Sequence, residues 1–434
     1  MTFEWIDQAL SEIGEWTKDP RETIAGGGNV SFFEGDKMLI SASGRPLAGI
    51  TRDRLVGTSV SAGLDAIAEC YPNDPVLREN MFDATRPRMV VGGDGIVKPS
   101  IEHPVHAVLA HEMMVGGYNR GMVYHPHATP LTALCASAKN HEYMKVILGE
   151  GALWMDFDIP GIMLGRHAQE LFRNQRGPMI TLMQQNHGAF FAAPDFSIIK
   201  SQRAMVLGKV EEYLDQVVDP WVRAEPLAPG ILDAPILRTA ADGIYQAVFG
   251  DEGGSFSTKT LIDGSSVLAL RGERGVVYIS KNELTTNYSA SEHAQEIEGT
   301  LFWLSPDHIV SGGLFESYVY LPRDERGAPL CSMEVQSLTD HIREHAQTEK
   351  FGTRPITYVI EGIGIATVGG HYQGDPTVRA TNAMLVTHDA LLCEAYGTAF
   401  GGLRRFSLAQ AEFIGNKWVV EQERKRIMGV ASTK

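Results

Sequence analysis

The sequence has 434 residues, too many for one ordinary hydrophobic core, and its length points to two domains. At 44% hydrophobic and 21% charged it is globular in composition, which excludes a disordered chain. A formal net charge of −15 argues against nucleic acid or an anionic membrane surface as the main partner, but leaves room for an anionic substrate at a locally positive site. No window reaches the roughly 18 apolar residues that span a bilayer. Residues 1–18 carry acids and Trp where a secretion signal has a basic start and an apolar run. Cys70, Cys135, Cys331 and Cys393 are widely spaced with no CxxC pair, which fits free thiols and a cytoplasmic location.

In chain order, residues 3–16 have an amphipathic helical pattern broken at Gly26-Gly27-Gly28-Asn29. Val30–Phe33 and Met38–Ile40, separated by Glu34-Gly35-Asp36, read as a hairpin that ends at Ser41-Ala42-Ser43-Gly44. Residues 52–98 are mixed and polar, with turn signals at 71–74 and 92–95. Ser100 is placed to cap a helix whose first turn holds Glu102 and His103, with Val105, Val108, Leu109 and Met113 as its apolar face and Gly116-Gly117 as its stop. Met122–His127 reads as a strand; Pro126 lacks an N–H, so this strand lies at an edge or ends there. Helices are expected over 129–137 and 162–173, strands over 179–184 and 189–193 around an Asn186-His187-Gly188 turn, and a long helix over 197–218. Residues 220–235, with four prolines, form the linker between a first domain, 1–219, and a C-terminal α/β portion, 236–434. In that second portion 266–270, 276–279, 318–321 and 356–360 read as strands, 382–397 and 407–413 as helices, with Ser407 and Gln410 as a capping box. Gly362-Ile363-Gly364 lacks the glycine spacing of a dinucleotide loop.

The chemistry concentrates between Pro99 and His127. His125 and His127, two apart on the expected strand, face one way. Two imidazoles suit a borderline-soft divalent metal, and a third, His187 at a strand-to-turn point, would leave one coordination position for substrate. Two ordinary histidines after a strand is the plain alternative, and His103, His106, His111 and His141 make a chance trio conceivable. Glu102 at a helix start is explained by the helix dipole alone, or by a role as general base beside a metal. Gly28-Asn29 and Ser43-Gly44 are each ordinary turns singly; together with Ser100 they offer the N–H groups and hydroxyls of a phosphate site.

The pieces GGGNVS, LISASG, KPSIE, HPHA, IPGI and NHG, in this order and spacing, resemble the class II aldolase/adducin family. The likeness is strongest to its larger branch, in which an L-rhamnulose-1-phosphate aldolase is fused to a short-chain dehydrogenase. Ile101 stands where the small fuculose-phosphate aldolases carry a second serine, and PSIE is the wording of the larger branch. The resemblance covers residues 20–218, continues more faintly through Ser305-Pro306-Asp307-His308 and Trp418–Gln422, and includes no dehydrogenase domain.

The resemblance implies a central, mainly antiparallel sheet flanked by helices, with the C-terminal portion completing the unit. It implies Zn²⁺, or Mn²⁺ or Co²⁺, held by His125, His127 and His187, with Glu102 as base. Gly28, Asn29, Ser43, Gly44 and Ser100 match the family's phosphate-binding positions, the missing second serine leaving an unphosphorylated sugar open. Tyr143 lies at about the spacing of the acid that a neighbouring subunit supplies in the small aldolases. The implied activity is cleavage of a ketose, foremost a ketose 1-phosphate, to an aldehyde and dihydroxyacetone phosphate or an analogue, in a cytoplasmic homo-oligomer. Sugar-phosphate epimerisation, decarboxylation of an oxo acid, and a non-catalytic adducin-like scaffold are the alternatives.

Overall fold

The computed structural model describes residues 4–23, 27–91, 97–173, 179–218, 235–250, 253–323, 335–346, 349–350, 353–370 and 375–418. The expected linker, 220–235, lies outside the described residues apart from Pro235, which begins a helix. The chain divides into two compact units, Met1–Val217 with Tyr396–Arg404, and Val218–Ala395 with Arg405–Lys434. Among the described residues no helix is long and apolar enough to cross a membrane. Cys70, Cys135 and Cys393 are free thiols; Cys331 lies outside the described residues.

In the first unit the order is α1 (Asp7–Trp16), β1 (Asn29–Glu34), β2 (Lys37–Ser41), β3 (Leu55–Ser59), α2 (Val60–Ala68), α3 (Pro75–Thr85), α4 (His103–Val115), β4 (Arg120–His125), α5 (Thr129–Cys135), α6 (Asn140–Leu148), β5 (Leu153–Met155), α7 (Ile162–Phe172), β6 (Ile180–Gln184), β7 (Gly188–Ala193) and α8 (Phe196–Val217). The strands form one sheet in the order β3-β2-β1-β4-β7-β6-β5, antiparallel except for the β5–β6 pair. Helices therefore flank a central, mainly antiparallel sheet, as the resemblance implied. β4 sits in the middle, paired with β1 on one side and β7 on the other. The edge alternative for this strand is thus wrong: Pro126 ends a central ladder instead.

The expected 52–98 segment of mixed polar character holds β3, α2 and α3. α4 is buried over almost its whole length, not along one face. Val105, Val108 and Leu109 pack with Phe33, Val123, Leu182 and Phe190 from the sheet, each fully buried apolar side chain contributing roughly 1.5–3 kcal/mol. Its neighbours close in because two positions lack side chains: a Cβ on Gly63 of α2 would lie 2.4 Å from the Ala107 Cβ, and one on Gly165 of α7 would lie 2.5 Å from the Pro104 Cβ. α8 covers β4 and β7.

The second unit carries α9 (Pro235–Phe249), β8 (Ser255–Thr260), β9 (Ser266–Arg271), β10 (Gly275–Ser280), α10 (Glu283–Ser289), α11 (Glu292–Glu296), α12 (Pro306–Gly312), β11 (Ser317–Val319), α13 (Val335–His345), β12 (Thr357–Ile360), β13 (Gly364–Gly370), α14 (Pro376–Ala399) and α15 (Leu408–Glu412); the last turn of α14 counts with the first unit. Its sheet runs β11-β12-β13-β10-β9-β8, with only β11–β12 parallel. One core joins Leu237, Ile244 and Phe249 of α9 and Ile342 of α13 to Leu270, Val277 and Ile279 of the sheet; a second joins Ala380 and Met384 of α14 to Val267, Val276 and Tyr278. The Ser407–Gln410 capping box forms as expected. Gly362-Ile363-Gly364 turns β12 into β13.

The IPGI piece enters α7, and its Gly161 leaves room for Glu79 of α3: a Cβ there would lie 2.3 Å from the Glu79 carboxylate. Burial raises the Glu79 pKa from 4.5 to about 7, against a hydrogen bond from Arg78 that lowers it. A carboxyl raised on folding contributes stability at low pH and loses it as pH climbs through about 7. Relative to wild type, Glu79→Gln therefore gains stability between pH 5 and pH 8, read as the change in the gap between their urea midpoints; a gap that stays constant contradicts the assignment.

Candidate metal centre

Asn29 and Ser31 lie two apart on β1 and project to one face of the sheet, beneath α4. Asn29 pairs in register with His125, the last residue of β4. The expectation that His125 and His127 share a strand is corrected: Pro126 ends the ladder, so His127 stands beyond it, with its ring turned 71° from that of His125. His187 occupies the three-residue turn between β6 and β7, where Gln184 pairs with Gly188. Asn186 turns that loop in the left-handed region at φ 53°, tolerable for asparagine. Its Nδ2 donates to Arg404 O at 2.8 Å and its backbone N–H to Cys135 O at 3.2 Å.

The three imidazoles converge. His127 Nε2 lies 2.8 Å and His187 Nε2 3.4 Å from His125 Nε2. Glu102 Oε2 is 3.4 Å from His125 Nε2, and Oε1 is 3.5 Å from His187 Nε2. The ligand atoms of Glu102, His125, His127 and His187 all lie within 4.8 Å of one another, and all four residues are buried. His125 Nδ1 is 2.7 Å from Ala189 O. A carbonyl only accepts, so Nδ1 carries the proton and Nε2 turns its lone pair toward the other two rings. The His125 ring stacks on Phe190, centroids 3.7 Å apart and planes 2° apart. Burial, and then the two neighbouring imidazoles, push the His125 pKa well below its ordinary value, so the ring stays neutral. Three buried ring nitrogens, one with its tautomer fixed by a carbonyl, beside a carboxylate fit a divalent cation of the zinc type. His125, His127 and His187 could hold it.

Glu102 precedes α4 instead of sitting in its first turn; the helix begins at His103, one residue before Pro104. Ser100 accepts from the Glu102 N–H at 3.3 Å. Asn29 Nδ2 donates to Glu102 Oε2 at 2.6 Å, and the amide's other end meets His106 Nε2, whose Nδ1 is 2.7 Å from Ser31 Oγ. Sequence reasoning passed over Ser31 and Phe190, and counted His106 only as a spare ligand. Its place one turn after Glu102, on the first turn of the helix that Glu102 precedes, was the available signal.

Of the other expected substrate-binding residues, Gly28 and Ser100 adjoin this group through His125 O and the Glu102 N–H. Gly28 has φ +74°, and a Cβ there would lie 2.7 Å from His125 O, so it lets the chain pass against β4. Ser43 and Ser100 spend their N–H groups on Lys98 O and Ser41 O, both 2.9 Å, which ties the two loops together. Gly44 is exposed, with open space where a side chain would stand. Tyr143 lies on α6, its ring against Tyr213 and Phe400 at 5.7 and 5.6 Å; these contacts, not the imidazoles, are its surroundings.

In the second unit His308, Asp389 and Cys393 form another buried group. There Ser305 Oγ to His308 Nδ1 is 2.7 Å, and His308 Nε2 to Asp389 Oδ2 is 2.9 Å. These bonds link the SPDH segment at the start of α12 to α14.

Residues 8–200 match the family profile described as the class II aldolase and adducin N-terminal domain. That match supports the class II aldolase family for the segment carrying the centre. No curated protein matches the chain. Among solved structures, the chain is similar to an N-terminal class II aldolase domain of a conserved protein from Thermoplasma acidophilum, at 18% identity over 49% of this chain and 96% of that one, TM-score 0.39. It is also similar to an L-fuculose-1-phosphate aldolase from Thermus thermophilus, at 16% identity over 50% and 100%, TM-score 0.32. A sugar-phosphate aldolase from Thermotoga maritima is similar at 15% identity over 49% and 96%, TM-score 0.33.

The geometry predicts one divalent cation per chain after reconstitution and desalting. Replacing His125, His127 or His187 singly with alanine should cut the metal retained several-fold. Retention at the wild-type level by all three variants, measured by elemental analysis, would remove them from the ligand set.

Proposed function

We propose that this protein is a metal-dependent class II aldolase acting on a ketose 1-phosphate of the rhamnulose-phosphate type, releasing an aldehyde and dihydroxyacetone phosphate. The observation that carries the reading is the convergence of three buried imidazoles beside the Glu102 carboxylate. When bound there, a divalent cation would supply a Lewis acid that polarises the substrate carbonyl; in cleavage the hydroxyl at the bond to be broken loses its proton, the carbon–carbon bond breaks, and the cation lowers the cost of the charge left beside the carbonyl.

Glu102 is the residue that delivers a proton to that carbon in cleavage and removes it in the reverse direction or in exchange on dihydroxyacetone phosphate alone. Its carboxylate is buried and held by Asn29, which keeps it within reach of a substrate seated over the imidazoles. The loops at Gly28, Ser43-Gly44 and Ser100 take the substrate's phosphate. Tyr143, on a partly exposed helix, serves the leaving aldehyde of a neighbouring subunit, in a cytoplasmic homo-oligomer. The catalytic domain spans 1–219, and the portion from 236 onward completes it. Retention of all three histidines and of Glu102 favours an enzyme over a scaffold; epimerisation and decarboxylation use the same groups and are separated by product analysis.

The test is exchange of the carbon-bound protons of dihydroxyacetone phosphate with deuterium oxide, followed by NMR. Wild-type protein loaded with Zn²⁺ should catalyse stereospecific exchange, and Glu102→Gln should lose it by about 100-fold or more with metal content unchanged. Exchange at near wild-type rate in the variant would remove Glu102 from the role of base.

A further inference from the structure

We infer that His106 is a positioning residue: it fixes which way the Asn29 side-chain amide points, and through that amide holds the Glu102 carboxylate. This rests on the reading of Glu102 as base. An asparagine amide has nearly the same shape in its two flipped orientations, so shape alone does not choose between them. Here the two ends of Asn29 meet different groups. Nδ2 donates to Glu102 Oε2 at 2.6 Å, and Oδ1 faces His106 Nε2. Oδ1 can only accept, so His106 carries its proton on Nε2. Its Nδ1 is then bare and must accept, and Ser31 Oγ, 2.7 Å away, donates to it. Every bond in the series Ser31, His106, Asn29, Glu102 therefore points its hydrogen toward the carboxylate.

Reversing any one bond sets two acceptors or two donors face to face among buried side chains. Ser31, Asn29, Glu102 and His106 are all buried, Ser31 and His106 completely. The His106 ring cannot turn freely: it stands edge-on to Phe190, centroids 5.9 Å apart at 75°, and Phe190 is the ring that stacks on His125. Burial lowers the His106 pKa to about 3, so the ring remains neutral and keeps one donor and one acceptor. One aromatic side chain thus braces both the positioning histidine and the middle imidazole of the metal centre.

Two measurements on the full-length protein test this. With ¹⁵N-labelled histidine, His106 should appear as a neutral imidazole protonated on Nε2 at pH 7, with or without bound zinc. A ring protonated on Nδ1 alone, or on both nitrogens, overturns the inference, and this readout stands even if the protein turns over no dihydroxyacetone phosphate. In the deuterium-exchange assay, His106→Phe keeps the ring but loses the donor and should slow exchange about tenfold or more, at unchanged metal content and folded-state spectra. His106→Gln, whose amide restores a donor near the Nε2 position, should recover most of that loss. Equal rates in the Phe and Gln variants overturn the positioning role. If Glu102→Gln leaves exchange intact, the base assignment fails by itself, and the ¹⁵N result still decides the orientation of Asn29.

Discussion

Three imidazoles and a carboxylate meeting at one buried point are costly to assemble, and the rest of the first unit is arranged around that cost. Polar groups withdrawn from water must find partners, and four of them here aim at a shared centre. The elements that deliver them are correspondingly well held. β4 lies between two antiparallel neighbours and ends at a proline. The β6–β7 turn is fixed by a left-handed asparagine with bonds at both its backbone and its amide. Phe190, from the strand that pairs with β4, lies flat on the middle imidazole.

The chain that leads into Glu102 is anchored as well. Arg86 is fully buried, its Nε donating to Pro99 O at 3.1 Å and its Nη1 to Asp83 Oδ1 at 2.6 Å. Lys98 Nζ meets the second oxygen of Asp83 at 2.7 Å. The segment 97–100 is thereby tied to α3 before the chain turns into α4. Truncating this buried guanidinium would leave Pro99 O without its donor and Asp83 with Lys98 alone, a class of loss that reaches several kcal/mol. The carboxylate proposed to move a proton is thus set between Asn29 and a tightly anchored entry to the helix.

Much of this was legible in the sequence because it depends on local rules. The hairpin over 29–41, the stop at Gly116, the β6–β7 turn and the Ser407 cap follow from alternation, glycine and capping chemistry. His125, His127 and His187 could be grouped as a candidate trio from residue type and their strand and turn positions, but the long interval before His187 carries no spacing rule and the resemblance singled them out; the structure brings them together. Two readings failed for physical reasons. Pro126 does not mark an edge, because a central strand can simply end where its next donor is missing. α4 is not amphipathic in burial, because His106 pairs both its nitrogens and His103 its Nε2 inside the protein, and so they sit where apolar residues would. Ser31 and Phe190 were invisible because their roles are pairwise contacts across strands and helices distant in the chain.

The central claim is that one cation is held by three ring nitrogens, and zinc K-edge X-ray absorption on the reconstituted protein tests it most directly. The account predicts a first shell dominated by nitrogen at about 2.0–2.1 Å, with the outer-shell pattern of three imidazoles. A shell containing sulfur, or one of oxygen alone without imidazole scattering, would contradict it.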